Sequence, residues 1–215
     1  MRRGQGGFGL LEVTLALAIG LMLLAAAGQL FTSAHHGWRL QGAALRLQDD
    51  ARLALLRMAQ DIRMAGMFGC LQLKPADFKD SAARQAFKQP LEVGTASLGL
   101  VVAELSGYPG VPDWTVLTDC IDKVHVHSER PLNPEKLMAI PVSHHRYDVK
   151  GSTLRLKRRS NTQPLVDHVR QLRIVHVETA DGGRIDLQLT LYEPTTKLEQ
   201  RHELSVALRN PVSIP

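Results

Sequence analysis

Aromatic residues are scarce, at 5% of the 215 residues. Few rings are therefore available to stack on unpaired bases, which argues against a single-stranded nucleic-acid binder. Charge of one sign is also short. Lys and Arg number 26 against 21 Asp and Glu, a net charge of +5, too small an excess to imply nucleic-acid binding. The two cysteines, Cys70 and Cys120, have no CxxC spacing, which leaves out a zinc ribbon and a thioredoxin-like site. No GxxxxGK(S/T) loop and no GxSxG elbow occur, so neither a P-loop nor a hydrolase nucleophile is expected. His202-Glu203 opens an HExxH pattern, but Val206 stands where its second histidine would fall. Gly4, Gly6 and Gly9 spell GxGxxG, yet a dinucleotide fingerprint must follow a strand, and none fits before residue 4. His125 and His127 would share a strand face, while His144 and His145 would point to opposite faces. Asp119, Asp122 and Asp181 lie in no EF-hand-like loop. The chain is thus read as a non-enzyme with no catalytic residue, no metal site and no cofactor.

What is present is concentrated at the N-terminus. A short basic leader, residues 1–7, carries Arg2 and Arg3. Residues 8–31 then form an apolar run with one charge, Glu12. Its uninterrupted part, residues 13–31, would span about 28 Å as a helix, close to the roughly 30 Å hydrocarbon core of a bilayer. A helix satisfies its own backbone hydrogen bonds, as a membrane span requires. Arg2 and Arg3 would keep the N-terminus cytoplasmic and place the remainder in the periplasm or outside. Two plainer readings compete: a secretory signal peptide cut near Ala25-Ala26-Ala27, and a simple anchor. Neither accounts for Glu12, because a carboxylate in hydrocarbon is costly and by default functional. Cutting after Gly7 would create an α-amino group four residues before Glu12, a natural partner on this chain or a neighbour.

The run Gly7-Phe8-Gly9-Leu10-Leu11-Glu12, after a basic leader and before an apolar helix, resembles the class III signal of type IV prepilins. The resemblance implies a cut by prepilin peptidase between Gly7 and Phe8, N-methylation of Phe8, and a role for Glu12 as the assembly carboxylate. Major pilins often carry a proline late in the membrane helix; here Gly28 and Gln29 stand there, which suits a minor pilin or pseudopilin. Further on, Asp61, Arg63, Ala65, Gly66, Phe68, Gly69 and Cys70 are similar to the helix end of minor pilins of the PilW group. So are Leu154-Arg155-Leu156-Lys157-Arg158, Gln163-Pro164-Leu165-Val166 and the closing Leu208-Arg209-Asn210. The J-type pseudopilin of type II secretion has a similar layout. The partners implied are other minor pilins, the major pilin, prepilin peptidase, an inner-membrane assembly platform and lipid, with no nucleic acid expected. A membrane-tethered binding protein that never polymerises is the alternative of a different class.

Leu40, Ala44, Leu47, Ala51, Ala54, Met58, Ile62 and Ala65 recur at three- and four-residue steps, the apolar stripe of an amphipathic helix. No proline precedes Pro75. One helix over about 8–65 is expected, roughly 85 Å long, weakened at Gly28, Gly37 and Gly42 and ended by Gly66 and Gly69. For Asp61 and Arg63, ordinary solvated helix charges are the plainer alternative to the helix-end motif above. Residues 74–89 read as a short helix or loop. Strands are expected over 98–105, 121–127, 143–149, 153–157, 172–178, 184–192 and 203–209, with turns at Lys150-Gly151 and Asp181-Gly182-Gly183. The expected fold is α+β: the type IV pilin fold, a long N-terminal helix on an antiparallel sheet. It divides into a leader (1–7), a membrane or filament-core helix (8–31), its amphipathic continuation (32–66) and a periplasmic sheet domain (67–215). In an oxidising compartment Cys70 and Cys120 would form one disulfide; two buried thiols are the alternative.

Overall fold

The computed structural model describes residues 9–105, 109–132, 136–159, 161–179 and 182–210. Helix α1 runs Leu10–Met64 and passes through Gly28, Gly37 and Gly42 without a break. The chain divides into two compact units, Met1–Leu45 and Arg46–Pro215, and α1 contributes to both.

In the first unit α1 is an apolar rod over residues 13–31, with polar residues from Thr32 onward. None of its most apolar 18-residue window is buried. It is long and apolar enough to cross a membrane.

In the second unit α1 is amphipathic. Leu47, Ala51, Ala54, Met58, Ile62 and Ala65 are buried, and Leu55 and Ala59 widen the stripe. Asp49, Arg52, Gln60 and Arg63 are exposed. Asp61 is not: it is buried, which removes the alternative of a solvated charge. Gly66 ends the helix in the left-handed region at φ 75, where a side chain would be strained. Its N–H donates to the carbonyl of Val101 at 3.3 Å. Asn210 Nδ2 donates to the carbonyls of Ala65 (2.9 Å) and Arg63 (3.4 Å), meeting acceptors that a helix end leaves open.

Among the described residues ten strands follow: β1 (Leu91–Val93), β2 (Ser97–Ala103), β3 (Trp114–Thr118), β4 (Val124–Ser128), β5 (Met138–Lys150), β6 (Thr153–Arg158), β7 (Asn161–Val166), β8 (Val169–Thr179), β9 (Gly182–Glu193) and β10 (Leu198–Ala207). A seven-stranded sheet has the order β1-β2-β5-β3-β4, with β6 on β5 and β7 on β6; a three-stranded sheet has the order β10-β9-β8. The strand pairings are antiparallel. The layout is α+β, a long N-terminal helix packed on antiparallel sheet, as expected.

Two hydrophobic cores result. In the first, α1 from Leu47 onward packs with Leu98, Leu100, Val102, Tyr147, Leu154 and Leu156 of the larger sheet. Ile185, Leu187, Leu189 and Leu191 of the smaller sheet complete it. In the second, Phe68, Phe78 and Phe87 gather with Val101, Val116, Val126 and Val142. Neighbouring strand residues point to opposite faces, so Val101 and Val102 put these cores on opposite faces of β2. The second core includes helix α2 (Ser81–Lys88), whose first turn is capped by Asp80 accepting from Ala82 N at 3.0 Å.

Several boundaries differ from expectation. Residues 121–123 do not extend β4, because Asp119 Oδ1 gathers the N–H groups of Ile121, Asp122 and Lys123 at 2.9–3.1 Å and turns the chain. β10 begins earlier than residue 203 because Leu198 pairs with Glu193. β7 was not foreseen as a strand. It contains Pro164 and pairs with β6 alone among the named strands, so the missing N–H costs it no ladder bond on that free side.

Candidate functional site

The implied cut site, Gly7 and Phe8, lies outside the described residues. Glu12 lies within them, exposed in the first turn of α1. Its own N–H donates to the carbonyl of Gly9 at 2.9 Å. A carboxylate here faces the positive end of the helix dipole, worth about 0.3–1 kcal/mol. Around and beyond it the helix offers Leu10, Leu11, Leu15, Leu17, Ile19 and Met22, each more than half exposed. Burying one such side chain contributes about 1.5–3 kcal/mol. A dozen, from Leu10 to Phe31, represent on the order of 20–30 kcal/mol of unclaimed burial. The apolar surface runs all round the rod rather than along one stripe, the pattern of a helix enclosed on every side.

The second unit holds a buried polar cluster that the sequence did not disclose. Asp61 on α1 accepts from His145 Nδ1 and from the Tyr147 hydroxyl through Oδ2, both at 2.6 Å. His145 Nε2 faces Glu104 Oε1 at 2.8 Å. Arg57, one turn before Asp61, places Nη2 3.3 Å from Asp61 Oδ1. His145 and Tyr147 are alternate residues of β5 and so share a face; Glu104 follows β2. Burial alone would push the two carboxyls up and the imidazole down. The bonds and opposite charges win, so Asp61 and Glu104 are held below their ordinary values and His145 above its own. Burial and the Asp61 charge push the Tyr147 phenol up, keeping it a donor. When His145 is protonated both ring nitrogens donate to carboxylates, and the imidazolium then has no lone pair to act as a base. The arrangement is a staple between helix and sheet. His144, the neighbouring residue, turns away as expected, and its backbone N–H donates to Asp113 Oδ2 at 2.8 Å.

Cys70 and Cys120 form a disulfide with Cα atoms 5.4 Å apart, tying the segment after α1 to the loop after β3. In that loop Asp119 faces three amides, which hold its carboxyl well below the usual range. His125 and His127 share a face of β4, with ring centroids 6.5 Å apart. Among the described residues no group of three or more His, Cys, Asp or Glu is arranged to hold a metal ion. Comparison with protein-family models, with curated proteins and with solved structures finds no match.

Proposed function

We propose that this chain is a type IV pilin-like subunit, a minor pilin of the PilW group that helps initiate pilus assembly. In this reading prepilin peptidase cuts after Gly7 and methylates Phe8. The subunit waits in the bacterial inner membrane with its N-terminus cytoplasmic and the sheet-bearing unit periplasmic. It then joins other minor pilins and the major pilin at the assembly platform and reaches the cell surface. One observation carries the proposal: the opening stretch of α1, residues 10–31, is apolar on all sides, yet bears a carboxylate in its first turn. Such a rod suits two environments in succession, lipid and a bundle of like helices. In the bundle, Glu12 meets the new α-amino group of a neighbour and sets the register. That pairing is favoured because an ionised carboxylate among apolar helices is otherwise destabilising by several kcal/mol.

Mass measurement of the mature N-terminus tests the first step, with methylated Phe8 expected. A chain that still begins at Met1, or that is trimmed near Ala25-Ala26-Ala27, rules the proposal out. Glu12→Ala tests the second. Processing and membrane insertion are expected to persist while entry into filaments is lost; unchanged assembly would leave Glu12 without its role.

A further inference from the structure

We infer that Phe31, His35 and Trp38 form a one-sided aromatic anchor at the phospholipid headgroup layer, and that this anchor fixes the depth of α1 so that Glu12 lies at the opposite interface. The inference rests on the membrane-anchored part of the proposed function, not on filament assembly.

The three rings form a ladder on one side of the helix, at spacings of four and three residues. Phe31 and His35 have centroids 6.5 Å apart, and His35 and Trp38 6.4 Å apart. Phe31 and Trp38 are each 72% exposed. Position along the chain identifies what covers them. The uncharged, mainly apolar run stops at Phe31; Thr32, Ser33, His35, His36, Trp38 and Arg39 follow. This order, from alkyl to amphipathic ring to cation, is that of the water-facing end of a membrane helix. There Trp sits at headgroup level and Arg reaches the phosphates. Between Glu12 and Arg39 there is no Asp, Glu, Lys or Arg. Those two charges are about 27 residues apart, or roughly 40 Å along a helix. That matches a whole bilayer of about 40–45 Å, headgroups included, rather than its 30 Å hydrocarbon core. With Trp38 and Arg39 at one interface, Glu12 falls at the other. A waiting subunit then holds its carboxylate in the headgroup layer and need not bury it.

Depth-dependent fluorescence quenching tests this. The chain has two tryptophans, so Trp114→Phe leaves Trp38 as the reporter. If that variant fails to fold, the native chain minus Trp38→Phe gives the same signal by difference. The full chain is reconstituted in phosphatidylcholine vesicles whose acyl chains carry bromine either near the headgroup or near the chain end. Two further reporters, Glu12→Trp and Ala25→Trp, are placed in the Trp114→Phe background and read by difference from it, so that Trp38 stays in place. Trp38 is expected to lose more emission to shallow than to deep bromines. The order should reverse at residue 25 and return at residue 12. Trp38 quenched most by deep bromines, or quenched only by an aqueous quencher, overturns the inference. So does shielding of Trp38 from lipid and water alike, which would mean that protein covers it. Failure of the chain to co-float with vesicles overturns the membrane reading as well. Loss of filament assembly with the expected quenching pattern leaves the anchor standing.

Discussion

At the scale of single residues, Asp61 governs the most. It is the acceptor for an imidazolium and a phenol, both out of water. Asp61→Ala strands both donors and is expected to cost about 3–5 kcal/mol, the usual penalty for breaking a buried pair from one side. Urea unfolding of the chain in detergent would measure it, and Asp61→Asn should cost less. The pH dependence has two limbs. Asp61 and Glu104 titrate below their ordinary 3.8 and 4.5, so their contribution is present above those values and is lost as pH falls. His145 titrates above its ordinary 6.5, so its contribution is full below 6.5 and is lost as pH rises through the raised value. Stability should therefore be highest between about pH 4.5 and 6.5, and His145→Gln should flatten the alkaline decline. Equilibrium unfolding across pH would show it. None of this was legible in the sequence. Asp61 stands between Gln60 and Ile62, with Arg57 and Arg63 nearby, like many surface helix charges, and its burial depends on residues 84 and 86 positions away.

At the scale of elements, the closing Asn210 acts on an element far back in the chain. Its amide caps the end of α1, so Asn210→Ala should destabilise that last turn by about 1–2 kcal/mol. Faster hydrogen exchange around residues 62–66 would report it. The disulfide closes a loop with a sequence separation of 50. Losing it through Cys70→Ser with Cys120→Ser should cost roughly 4 kcal/mol in the chain-entropy picture, read as a lower thermal midpoint. Which elements could be read in advance follows from what covers them. β9 buries one face, so Ile185, Leu187, Leu189 and Leu191 alternate with more polar residues and stood out. The helical stripe from Leu47 to Ala65 stood out for the same reason. β3 is buried on both faces beyond Trp114, so Thr115–Thr118 shows no alternation and the strand was missed. β1, with three residues, is too short to carry a pattern.

At the scale of the whole molecule, both hydrophobic cores begin at Leu47 or later. A fragment of residues 46–215 should therefore fold cooperatively without the first unit, keep its disulfide and remain free of vesicles. Circular dichroism with a flotation assay would check this, and a molten fragment would contradict it. The α+β plan and the bare apolar rod were legible because hydropathy is a local property. The second core was not, because Phe68, Phe78, Phe87 and Trp114 meet only after the sheet is built. β5 joins the two cores of the second unit. Within its 13 residues it pairs with β3, β2 and β6. It sends Val142 to one core and Tyr147 to the other. Its odd and even positions therefore serve two masters, and deleting a single residue after Val142 would invert the assignment of everything beyond it. His145 and Tyr147 would turn from Asp61 to the wrong side, and no compensating slip could restore one core without scrambling the other. Parity, more than composition, is what this strand has to preserve.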